Sequence, residues 1–89
     1  MDDTAKLTSL LDIMEDLGIA IRRMPAGDSD GPQHGGGAVV RVKGKEMLFL
    51  DASASLADQI SAVAEILRGR KEVAQRFLPP EVRDIIDGL

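Results

Sequence analysis

The chain has 89 residues, a formal net charge of −4, two Phe, and no Cys, Trp or Tyr. That is the length of one domain, with a modest core of Leu, Ile, Val, Met and Ala that buries roughly 60 to 65% of the unfolded chain's surface. The composition excludes disulfides, thiolate catalysis and cysteine-held metal centres. It also disfavours stacking of bases on aromatic rings and bulk attraction to nucleic acid or an anionic membrane.

The N-terminus, Met1-Asp2-Asp3, is acidic and lacks an apolar stretch, so no signal peptide is expected. No apolar run approaches a membrane span. Small secreted domains often need disulfides, so a cysteine-free chain is expected in the cytoplasm.

The first helix is predicted from Thr4 to Leu17, with Asp3 as its cap. Leu7, Leu10, Leu11, Met14 and Leu17 form its apolar stripe, and Asp12, Glu15 and Asp16 lie on the other face. Gly18 follows where a left-handed residue ends a helix. Residues Ile19 to Arg23 then alternate as a strand, with Ile19 and Ile21 facing one way and Ala20 and Arg22 the other.

Positions 24–37 hold five Gly and two Pro with almost nothing apolar, and they predict a flexible loop. Within it, Asp28-Ser-Asp-Gly31 opens like a calcium loop, but Val39 stands where the twelfth-position Glu is needed. Asp28 and Asp30 are therefore turn residues. His34 is the only histidine and has no partner at ligand spacing, so it reads as a loop residue. Gly35, Gly36 and Gly37 lead into a strand and not a helix, so they are slack and no phosphate cradle.

Residues Ala38 to Leu50 predict a β-hairpin. A type II′ turn at Gly44-Lys45 would pair Lys43 with Glu46, Val42 with Met47 and Val40 with Phe49. Val40, Val42, Met47 and Phe49 then make one apolar face that helices should cover. The other face carries Arg41 and Lys43, then Leu48 and Leu50.

Ser55 caps a second helix whose stripe is Leu56, Ile60, Val63 and Leu67, stopped by Gly69. Lys71 to Phe77 predicts a short helical stretch burying Val73 and Phe77. Pro80 opens a last helix with Val82, Ile85, Ile86 and Leu89 as its apolar positions. The fold class is α+β: a small antiparallel or mixed three-stranded sheet packed on helices, in the order α-β-β-β-α-(α)-α, forming one domain over 1–89.

Five of the eleven basic residues (Arg22, Arg23, Arg41, Lys43, Lys45) gather around the sheet. A solvated polar face is the simplest account of them. Leu48 and Leu50 beside them add apolar surface, unless the last helix covers them, and so mark a partner surface with Arg22, Arg41 and Lys43. The carboxylates Asp12, Glu15, Asp16, Asp84 and Asp87 sit on outer helix faces and serve solubility.

In the order of its parts the chain resembles the front half of zinc-peptidase domains of the ImmA/IrrE type. The residues that carry this are Leu17-Gly18-Ile19, Gly36-Gly37, Arg41 to Lys45, Leu48 to Asp51 and the helix Ser61 to Leu67, about half the chain. The resemblance implies a helix, a short sheet and a hairpin ahead of a motif-bearing helix. The zinc motif needs two His four apart on one helix face, and here Ala64-Glu65 stands with no histidine in the helix. No catalytic or metal-binding residue carries over, and the resemblance implies a peptidase-like shell without metal.

The function expected from these observations is a non-catalytic protein-interaction or dimerisation module, with no cofactor, no catalytic residues and no membrane association. Its partner would be a second copy or another protein. The alternatives are an anion- or nucleic-acid-binding regulator using the basic sheet face, and the degenerate peptidase-like domain. An enzyme would need a site of carboxylates with His34, and no convergent set of groups supports one.

Overall fold

The computed structural model describes residues 2–24 and 36–88. The protein is α+β: α1 (Asp3–Asp16), β1 (Ala20–Met24), β2 (Gly37–Val42), β3 (Lys45–Asp51), α2 (Leu56–Arg68), α3 (Lys71–Ala74) and α4 (Pro80–Asp87). The sheet is mixed, with order β1-β3-β2. β3 sits in the centre, parallel to β1 and antiparallel to β2.

Local chemistry accounts for the helix ends. Asp2 caps α1 by accepting from the Ala5 N–H at 2.8 Å, one residue before the expected cap. Gly18 then turns the chain at φ +83°. Ser55 caps α2 by accepting from the Asp58 N–H at 3.1 Å, and Gly69 ends it. Pro80 opens α4, where its missing N–H removes nothing a helix would use.

The helices form one layer on one side of the sheet. α1 and α2 pack on each other, α1 also touches β1 and α2 touches β2, and α4 seals the back of the pair. One cluster results: Leu7, Leu10, Leu11, Ile13 and Met14 from α1, Val63, Ala64 and Leu67 from α2, Val73, Val82 and Ile86 from the C-terminal part, and Ile19, Leu48 and Leu50 from the sheet side. Arginines tie the C-terminal elements together. Arg68 Nε donates to the Ile86 carbonyl at 2.7 Å. Arg83 donates to the carbonyls of Arg76 and Val73.

The hairpin departs from expectation in two ways. Its turn is Lys43-Gly44, with φ +52° and +79°, the doubly positive signature of a type I′ turn. Pairing therefore moves by two residues: Val42 faces Lys45, Arg41 faces Glu46, Val40 faces Met47 and Ala38 faces Phe49. A shift of two preserves which residues share a face, so Val40, Val42, Met47 and Phe49 still lie together.

The second departure concerns which face the helices cover. It is the face of Val39, Leu48 and Leu50, and Leu48 and Leu50 are 0% exposed. Gly36 explains how α2 comes so close. It has φ +95°, and a Cβ there would lie 2.2 Å from the Asp58 carbonyl oxygen and 2.9 Å from the Ala62 Cβ. Gly36 is thus a contact point with α2 and more than slack. Phe77 also departs from expectation: α3 stops at Ala74, its periodicity ends, and Phe77 is 90% exposed while Val73 is buried.

Candidate functional site

Alternation along the paired strands defines the face that no described helix covers. It holds Ala20 and Arg22 of β1, Ala38, Val40 and Val42 of β2, and Lys45, Met47, Phe49 and Asp51 of β3. Val40 and Val42 are 37% and 44% exposed, and Met47 and Phe49 are half-buried. Valine and phenylalanine on a strand usually pack against a second layer. Here Val40 and Val42 are exposed and Phe49 is half-buried, with no described helix against them.

The central strand gives this face a direction. Lys45 lies at its hairpin end, Met47 and Phe49 in the middle, and Asp51 at its far end. Asp51 Oδ1 accepts from the Ser53 N–H at 2.9 Å and from the Ser53 hydroxyl at 2.6 Å. These bonds, the hydroxyl's first, hold the Asp51 carboxyl below its usual range, so the far end carries a firm negative charge.

The residues singled out from the sequence divide differently. Arg22 lies on the open face, between the apolar centre and the β1 edge. Arg41 has the opposite parity and is exposed at the hairpin end of the helix side. Lys43 occupies the turn. Leu48 and Leu50 are core residues, and their expected exposure beside the charges is overturned, because α1 and α2 cover their face and not that of Phe49. The basic cluster is thereby split between two faces and a turn. Asp28, Asp30, His34 and most of the expected flexible loop lie outside the described residues.

On the helix side, Glu46 receives a two-armed hydrogen bond from Arg70. That bond holds the Glu46 carboxyl below its ordinary value of 4.5, against a smaller opposing effect of burial. The pair pins the hairpin to the turn after α2. A shallow depression beside β1 is lined by Glu15, Gly18, Ile19, Ala20 and Ile21. It offers one carboxylate among aliphatic and backbone groups, with no convergent polar set. Among the described residues, no three His, Asp or Glu side chains are placed to hold a metal ion, and no helix is long and apolar enough to cross a membrane.

No known family model, curated protein or solved structure matches the chain.

Sequence reasoning grouped Val40 and Phe49 on one face but expected helices to cover it, and it missed Lys45 and Asp51 at the two ends of that face. The signal available was the order Lys-x-Met-x-Phe-x-Asp at alternate positions of one strand, a charge reversal across an apolar centre.

Proposed function

We propose that the protein is a non-catalytic protein-interaction module whose working surface is the open sheet face. The observation that carries this is the pairing of a sealed face with one of similar apolar character that no described helix covers. Leu48 and Leu50 are wholly buried while Val40 and Val42, on the opposite side of the same hairpin, stand exposed. A protein surface with an apolar centre and charges at its rim is the matching occupant.

The two carboxylates with a displaced pKa are not poised as general acids. Glu46 and Asp51 are both shifted toward the ionised form, whereas a general acid needs its carboxyl raised. The absence of cysteine supports a cytoplasmic place of action.

The test is site-specific photo-crosslinking in producing cells, with a benzophenone amino acid in place of Val40 and, as control, in place of Asp12 on the outer side of α1. The reading expects one or two adducts of discrete mass from position 40 and none from position 12. No adduct from position 40, or the same smear from both, contradicts it.

A further inference from the structure

We infer that the occupant of the open face is a second copy of this chain, packed face to face about a two-fold axis that runs across the strands and passes between Met47 and Phe49. The inference rests on the interaction-module reading and goes further by naming the partner and the geometry.

Two stacked sheets related by a two-fold axis have only two simple arrangements. If the axis lies along the strands, β3 covers its own copy in the same direction. Lys45 then meets the second Lys45, and Asp51 meets the second Asp51. Like charges in direct opposition are unfavourable. If the axis runs across the strands, β3 covers its copy in the opposite direction. Lys45 then lies over Asp51 of the second copy, and the symmetry makes that ion pair twice. Charge on the central strand therefore selects the second arrangement.

The flanking strands fit that choice. Ala20 and Ala38 pair with Met47 and Phe49 respectively, and Arg22 and Val40 with Phe49 and Met47. The crossing axis places Val40 over Ala38 of the copy, Met47 over Phe49, and the Arg22 stem over Ala20. Large meets small on both outer strands, the pattern that lets sheets interdigitate at about 10 Å separation. Arg22 is exposed on the edge strand β1, so its guanidinium can stay solvated while its stem covers apolar surface.

Size sets the strength. Three strands about 4.8 Å apart and about six residues long at 3.3 Å each give a planar footprint of roughly 300 Å². A standard interface removes about 800 Å² from each partner. The dimer is consequently weak and reversible, and it dissociates within the range from roughly 10 µM to 1 mM.

Sedimentation equilibrium of the full chain over roughly 10 µM to 1 mM is the test. The expected result is a monomer–dimer equilibrium, and a monomer mass at every concentration overturns the proposal. Lys45→Glu and Asp51→Lys should each weaken the dimer about tenfold, since each turns two attractions into repulsions. A one-to-one mixture of the two variants should recover to within about threefold of the parent, because the mixed dimer restores both ion pairs. A dimer indifferent to both changes, or a mixture as weak as its parts, overturns the axis and with it the proposal.

Asp51 also holds the turn through Ser53. Should Asp51→Lys fail to fold by circular dichroism, Lys45→Glu alone decides the matter. Its loss must shrink as salt rises from about 0.05 to 0.5 M, and a salt-independent loss contradicts the pairing. Failure of the wider reading is distinguishable. A monomer that still gives a discrete adduct from position 40 with another protein removes only the second copy, whereas no adduct removes both.

Discussion

The two faces of the sheet carry nearly the same chemistry and meet different fates. One presents Ile21, Val39, Leu48 and Leu50, and two helices seal it. The other presents Ala38, Val40, Val42, Met47 and Phe49, and no described helix touches it. Apolar alternation therefore states that a face can be buried. It does not state by what. The sealed face is a matter of stability, worth about 1.5–3 kcal/mol for each fully buried leucine, and the open face is available for association.

Paired substitutions break that comparison most directly. Leu50→Ala should lower the unfolding free energy by about 2–5 kcal/mol, because the cavity lies in a fully buried site. Phe49→Ala, one residue away, should cost about 1 kcal/mol or less in the dilute monomer and should remove association instead. Chemical denaturation at low protein concentration, set beside mass measurement at high concentration, separates the two effects. Equal losses of stability would erase the distinction between the faces.

Gly36→Ala probes the close approach of α2 to the start of β2. The added methyl meets the Asp58 carbonyl oxygen at a backbone angle that L side chains rarely adopt, so a loss of about 1–3 kcal/mol is expected from thermal unfolding. A neutral result would mean that α2 reaches the sheet without this close approach.

The hairpin's anchor gives a smaller, pH-dependent effect. Glu46 has its folded pKa depressed by Arg70. Its contribution is therefore complete above its ordinary value of 4.5 and is lost as pH falls through the lower, folded value. The pair is partly exposed, so the amount is about 1 kcal/mol. Glu46→Gln should flatten that part of the stability curve below pH 4.5 and leave its shape above unchanged. A parent curve with the same slope as the variant would show that the pair contributes nothing.

Much of the fold is legible in the sequence because it is written in local chemistry. Ser55 before Asp58, Gly18 after the first stripe and Pro80 before Glu81 each fix a helix end without reference to the rest of the chain. The grouping of Val40, Val42, Met47 and Phe49 is legible for the same reason, since alternation depends only on the strand. What is not legible depends on distant elements. Met47 and Phe49 are as apolar as Leu48 and Leu50, and it is the packing of α1 and α2, remote in sequence, that covers one pair and not the other. The turn is misplaced by one residue because Lys43 adopts φ +52°, which no lysine announces. Of the candidate site, Arg22 shares its face with Phe49 and not with Leu48 and Leu50, which depends on the register of β1 against β3. Arg41 falls on the other side with Leu48 and Leu50, so the expected partner surface is dissolved by burial. The true open face is read only once the covered one is known.

The most direct test of self-association through that open face is an NMR dilution series of the isotope-labelled protein from roughly 1 mM to 10 µM. The account predicts concentration-dependent shifts centred on Ala38, Val40, Met47 and Phe49, with Leu10, Val63 and Leu67 unmoved. Shifts that cluster instead on the outer side of α1, around Asp12 and Glu15, or no shifts at all, would contradict it.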